Sequence, residues 1–138
     1  MDELVRWLGV QLDEDERTAR EAGGAAWEEL PVSGWVHTSP LPDTEWQPPG
    51  YDHHVASAPL SSDRAHIVRH DPARVLREID AKQRIIQVHN ARDSWGMCVA
   101  CPRDEKGAMQ VEIEDCPILR ALALPYADRP GYKESWRP

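Results

Sequence analysis

Three cysteines, Cys98, Cys101 and Cys116, with His89 upstream of the first, are the residues whose types and spacing point most directly to chemistry. A Cys-x-x-Cys segment brings two thiolates onto one cation because the backbone between them bends into a knuckle whose amides point at sulfur. Cys116 stands just before a short apolar stretch, Pro117 to Leu124, that reads as a helix, and the partial positive charge of a helix N-terminus favours a thiolate there. His89 falls at the end of an expected long helix and is the nearest histidine. Three sulfurs and one nitrogen complete a tetrahedron around Zn²⁺ and leave no position for water, so the expected centre is structural. Three alternatives stay open at this point: His54, His66 or His70 as the fourth ligand, redox chemistry at the Cys98 and Cys101 pair, or three buried thiols that pack as small hydrophobes.

Other groupings are thinner. His66 and His70 are four apart and Asp71 follows them, which suits a small metal-dependent hydrolase or a nucleotide-binding protein. However, no His-Glu-x-x-His pattern completes the set, and Pro72 breaks the helix. Ser61, Ser62 and Ser94 lack the setting of a nucleophile elbow, and there is no glycine-rich phosphate loop. Arg74, Arg77 and Arg84 share a helical face and suggest a nucleic-acid-binding zinc module, opposed by Glu78 and Asp80 on the same helix. The run Asp13, Glu14, Asp15, Glu16 is a solvated face, a docking surface for a basic partner or a two-carboxylate metal site. Trp46, within a proline-rich loop, is either an exposed aromatic anchor for a protein partner or a packed side chain that holds the loop down. No catalytic or cofactor-binding residue is assigned beyond these, and the expected cofactor is Zn²⁺ alone.

The elements that must position these groups follow from the pattern. Residues 2–22 carry Leu4, Val5, Leu8, Leu12 and Ala19 at helical spacing, with Asp2 to cap and Gly23-Gly24 to stop the helix. Asp15 lies beside that apolar stripe, which requires either an early end to burial or a basic partner. Residues 27–30 and 35–37 are short strands of a hairpin, and residues 53–57 return as a third strand. Pro40, Pro42, Pro48, Pro49 and Gly50 between them predict a surface loop. Ser62 caps a short helix over residues 63–69, and Asp71-Pro72 opens the long helix to His89, whose apolar face is Val75, Leu76, Ile79 and Ile86. Residues 90–96 form a loop and residues 110–114 alternate as a half-exposed strand. The tail from Pro125, with Tyr126, Tyr132 and Trp136, is expected as an extended strap. The fold class is therefore α+β: an N-terminal helix, a small antiparallel sheet, a long central helix and a zinc-stapled C-terminal subdomain, in one domain of 138 residues.

Charge narrows the function classes. Sixteen basic and 24 acidic side chains leave a net charge of −8, with −9 in residues 1–62 and +1 in the remainder. An acidic chain is a poor non-specific ligand for nucleic acid, where affinity comes mainly from neutralised phosphates. No apolar run reaches the roughly 18 residues that span a bilayer, and the start, Met1-Asp2-Glu3, has no basic leader. An odd cysteine count with two thiols three apart fits a reducing compartment, so a cytoplasmic setting is expected.

Several separated segments, residues 66–79, the Cys98 and Cys101 pair, residues 116–128 and residues 132–138, together with the opening residues 2–17, resemble a family of small proteins of unknown function from actinobacteria and their phages. The resemblance implies a phage or mobile-element context and carries no activity to transfer. The function expected is a non-enzymatic, zinc-stabilised accessory factor that binds another protein, inhibition of a host or defence protein being one form of it.

Overall fold

The computed structural model describes residues 2–30, 34–39, 54–103, 105–107 and 111–138. Trp46 and most of the proline-rich loop lie outside them. Among the described residues the elements, in chain order, are α1 (Glu3–Glu21), β1 (Trp27–Leu30), β2 (Trp35–Thr38), β3 (His54–Ser57), α2 (Ser61–Arg69), α3 (Pro72–His89) and α4 (Pro117–Ala123), with three short 3-10 turns in the last third. The α+β architecture matches the reading of the sequence. The chain gathers into two compact units, one of Met1–Asp15 with Ile79–Pro138 and one of Glu16–Glu78.

In the second unit, α1 stops where the sequence requires it. Gly23, at φ 97°, lets the Gly24 amide reach the Ala19 carbonyl while its own amide bonds Arg20, the paired closure that caps a helix in the left-handed region. The three strands form an antiparallel sheet in the order β1-β2-β3, with Trp27 opposite Thr38 and Leu30 opposite Trp35. A register irregularity falls between Val36 and His37, the two buried residues of β2. Helix α2 is fixed to the sheet by the buried Arg64, which donates to the carbonyls of Ala58 and Pro59 and pairs with Glu29 at 2.9 Å. That anchor explains a correction to the expected cap: α2 begins at Ser61 behind Leu60, without a side-chain cap, because the Leu60 carbonyl already takes the amides of Asp63 and Arg64. Asp71 caps α3 as expected, accepting the Arg74 amide at 2.7 Å, and its second oxygen accepts the Trp27 amide at 3.2 Å.

In the first unit, Leu4, Val5, Leu8 and Leu12 of α1 are buried, with Ile79 of α3, Ile113, Leu119 and Ala123. The tail is a succession of turns, Leu124–Tyr126 and Glu134–Trp136, where an extended strap was expected. The reason is aromatic packing: Trp7 meets Tyr132 and Trp136 at ring separations of 5.7 and 5.4 Å, and its indole N–H donates to the Pro130 carbonyl. Gly131 makes the bend at φ 84°, where a Cβ would lie 2.9 Å from the Trp7 indole nitrogen. The strand expected over residues 110–114 is also revised. Val111 and Glu112 make single bridging contacts, and the chain then coils into a 3-10 turn at Ile113–Asp115. Two alternating apolar residues are too few to hold a strand against a turn that delivers Cys116 to its place.

Candidate metal centre

Four side chains from three segments of the first unit converge on one point. Helix α3 ends at His89, whose Nδ1 lies 3.6 Å from Cys98 Sγ, 3.8 Å from Cys101 Sγ and 3.4 Å from Cys116 Sγ. Cys101 Sγ and Cys116 Sγ are 3.3 Å apart, and the four ligand atoms all lie within 4.8 Å of one another. A tetrahedral cation with bonds of about 2.3 Å to sulfur and 2.0 Å to nitrogen has N···S edges of about 3.5 Å and S···S edges of about 3.8 Å. The N···S separations lie close to those edges, and the four donor atoms cluster tightly enough to be compatible with one such ion.

Each ligand is held by its own backbone. The loop before Cys98 is pinned by Asp93, whose carboxylate accepts the amides of Trp95 and Met97 while its own amide bonds the Met97 carbonyl. Arg92 and Cys98 then pair as an isolated antiparallel bridge, and the Cys98 amide donates to Val111 at 2.8 Å. The Cys101 amide closes the knuckle onto the Cys98 carbonyl. Cys116 occupies the N-cap of α4, with Pro117 in the first turn, and its side chain makes no capping bond, so the sulfur is left for the cluster. Arg120 braces that approach by donating to the Glu114 carbonyl and pairing with Asp115, and the Glu114 carboxylate accepts the Glu3 amide of α1.

Burial sets the electrostatics. Cys98 and Cys116 are inaccessible and Cys101 nearly so. The Cys101 thiol is pushed up from 9.0 to about 12, first by burial and then by hydrogen bonds and charge from Cys116 and Cys98. The Cys101 thiol, crowded out of water, resists ionising unless a cation compensates it, which is what a bound metal does. All three are free of disulfides.

The other sequence candidates are placed elsewhere. His54 packs against Trp35 and His37 and bonds Ser57 at 2.9 Å. His66 and His70 stack at 4.3 Å on an exposed surface, while Asp71 is turned inward as a helix cap with both oxygens occupied by amides. These three do not form one catalytic group. Arg74 pairs with Glu78 and Arg84 with Asp80 along α3, which leaves Arg77 as an exposed charge on a largely compensated face. In the acidic run, Asp15 and Glu14 face Arg129 and Glu16 pairs with Arg20. Asp15 thus has the basic partner that its position beside the apolar stripe demanded.

One exposed group was not singled out from the sequence. Trp95 is 83% exposed at the tip of the Asp93 turn. The Asp-x-x-Gly spacing of Asp93 and Gly96 signals that turn, with Gly96 at φ 82°, and so marks Trp95 as its presented residue.

The whole chain, residues 1–138, matches the family of unknown function DUF6221. The chain belongs to this family. No curated protein and no solved structure matches it. Membership in DUF6221 supplies no activity, so function rests on the geometry. Among the described residues, no helix is long and apolar enough to cross a membrane.

Proposed function

We propose that the protein is a non-enzymatic binding protein whose C-terminal part is built around one structural Zn²⁺ held by His89, Cys98, Cys101 and Cys116. The observation that carries the reading is the convergence of four ligand atoms within 4.8 Å of one another, three of them on buried cysteines. A Cys₃His set fills a tetrahedral ion, which leaves no open position to activate water or bind a substrate. Zinc is favoured over harder cations by the thiolates, and Cys₃His is a ligand set of structural zinc sites.

Support for a protein partner comes from Trp95. An exposed indole on a turn whose backbone is fixed beside the cysteine knuckle is the kind of anchor that often carries interface energy. In the phage or mobile-element setting that the family resemblance implies, that partner is a host protein, and engagement of it is the accessory role. Affinity capture with the zinc-loaded protein, paired with Trp95→Ala, tests this. A stoichiometric partner lost on Trp95→Ala is expected; a partner retained by that variant, or steady turnover of a small substrate, contradicts the reading.

A further inference from the structure

The last turn of α2 and its cap present two imidazoles placed to share one cation. His66 and His70 are four residues apart, so they stand one above the other on the same side of the helix, and both are exposed. Their ring centres are 4.3 Å apart, with the planes tilted by 35°. A cation that holds two imidazoles, with bonds of about 2.0 Å to nitrogen, sets the ring centres about 4.5 Å apart at a right angle and about 5.2 Å apart at the tetrahedral angle. The observed separation suits the right-angled bite, and the exposed His66 ring turns about its side-chain bonds fast enough to aim a nitrogen at the same ion.

His70 is prepared for that role by its hydrogen bonds. Its Nδ1 lies 2.8 Å from the His66 carbonyl oxygen. A carbonyl only accepts, so Nδ1 carries the proton and the lone pair of the neutral ring is on Nε2. A bond of this kind, from one ring nitrogen to a carbonyl, is what fixes tautomer and orientation in metal-ligating histidines. The His70 amide closes onto the Ile67 carbonyl and Asp71 caps α3 directly after it, so the backbone that carries the ring is held on both sides. The partial negative charge of a helix C-terminus also favours a cation at this end of α2. Arg74 reaches the Arg69 carbonyl here, but its guanidinium is paired with Glu78 at 2.6 Å.

We propose that His66 and His70 form a second metal site, on the surface of α2, for a divalent cation of the copper(II) and nickel(II) class. Imidazole suits these ions, and right-angled ligation is the tetragonal geometry they prefer. Two ligands leave the remaining positions to water or to a donor from another molecule, in contrast to the closed Cys₃His set. The site shares no ligand with that centre and does not rest on the zinc reading.

Titration of the untagged, zinc-loaded full chain with Ni²⁺, read by calorimetry and by paramagnetic broadening of the histidine ring resonances, tests it. Saturable binding of one Ni²⁺ per chain is expected, with the His66 and His70 signals broadened first. His66→Ala and His70→Ala are each expected to weaken it by about tenfold or more, because a single imidazole loses the gain from a second one held close by. His54→Ala is expected to leave it unchanged. Adding Ser62→His to the His70→Ala chain puts a histidine four residues before His66 on the exposed side and is expected to recover binding. Zinc content and circular dichroism are expected to stay at wild-type values in all four variants. Absence of saturable Ni²⁺ binding up to about 1 mM overturns the proposal, and so does binding that both single variants, His66→Ala and His70→Ala, retain at full strength.

Discussion

His89 Nδ1 and Cys116 Sγ, 27 positions apart in sequence, lie 3.4 Å from each other and join the end of α3 to the start of α4. Bringing together residues so far separated costs loop entropy, and a metal bond offsets that cost directly in folding free energy. His89→Ala, Cys98→Ser and Cys116→Ser should therefore each weaken zinc binding by more than about 100-fold, beyond what loss of an outer-shell contact does. His54→Ala, His66→Ala and His70→Ala should leave it unchanged. Competition with a chromophoric chelator reads both results.

Zinc affinity should rise steeply with pH. Because burial holds the Cys101 thiol near 12, its proton must be displaced by the metal at every neutral or mildly alkaline pH. That proton alone makes affinity grow by about tenfold per pH unit. In the metal-free protein the sign is reversed. A thiol whose folded pKa is raised contributes stability that is fully present below its unfolded value of 9.0 and is lost as pH climbs towards about 12. Chelator competition between pH 6 and 8, and urea melts of the stripped protein above pH 9, distinguish the two trends.

Asp71→Ala should destabilise the second unit by about 1–3 kcal/mol, since it removes the α3 cap and leaves the Trp27 amide without its acceptor. Asp71→Asn should recover part of the loss, as asparagine caps helices well. Urea unfolding followed by tryptophan fluorescence measures both, and zinc content should not change in either.

Gly131→Ala should cost about 1–3 kcal/mol, because the new Cβ at φ 84° meets the Trp7 indole at 2.9 Å. Gly107→Ala, also at positive φ but with nothing within 4 Å, should cost no more than the backbone penalty of about 1 kcal/mol. Thermal melts of the two variants side by side check the difference.

The gathering of His89 with Cys98, Cys101 and Cys116 was legible because a Cys-x-x-Cys pair, a third cysteine before a proline-started helix and a histidine at a helix end each carry a local signal. Helix α1 was legible for the same reason: its apolar period and the Gly23-Gly24 stop are encoded within a few turns. The 3-10 turn at Ile113–Asp115 was not, since five residues of alternation do not tell a strand from a bent connection held at both ends. The choice of His89 over His54, His66 and His70 depends on which residues the fold gathers, and spacing alone left it open. Likewise, the need of Asp15 for a cation could be read from its place on the helix, but the identity of Arg129, 114 positions away, could not. Trp95 was overlooked although the Asp93 and Gly96 spacing signals its turn, because a turn signal alone does not say which of its side chains the rest of the fold leaves uncovered.

The most direct measurement is elemental analysis of the full chain purified under reductant, combined with its melting temperature before and after chelation. One zinc per chain is expected, with a large fall in melting temperature on chelation and recovery when Zn²⁺ is returned. A chain without stoichiometric metal, or one whose unfolding is indifferent to removing it, would contradict a structural centre at His89, Cys98, Cys101 and Cys116.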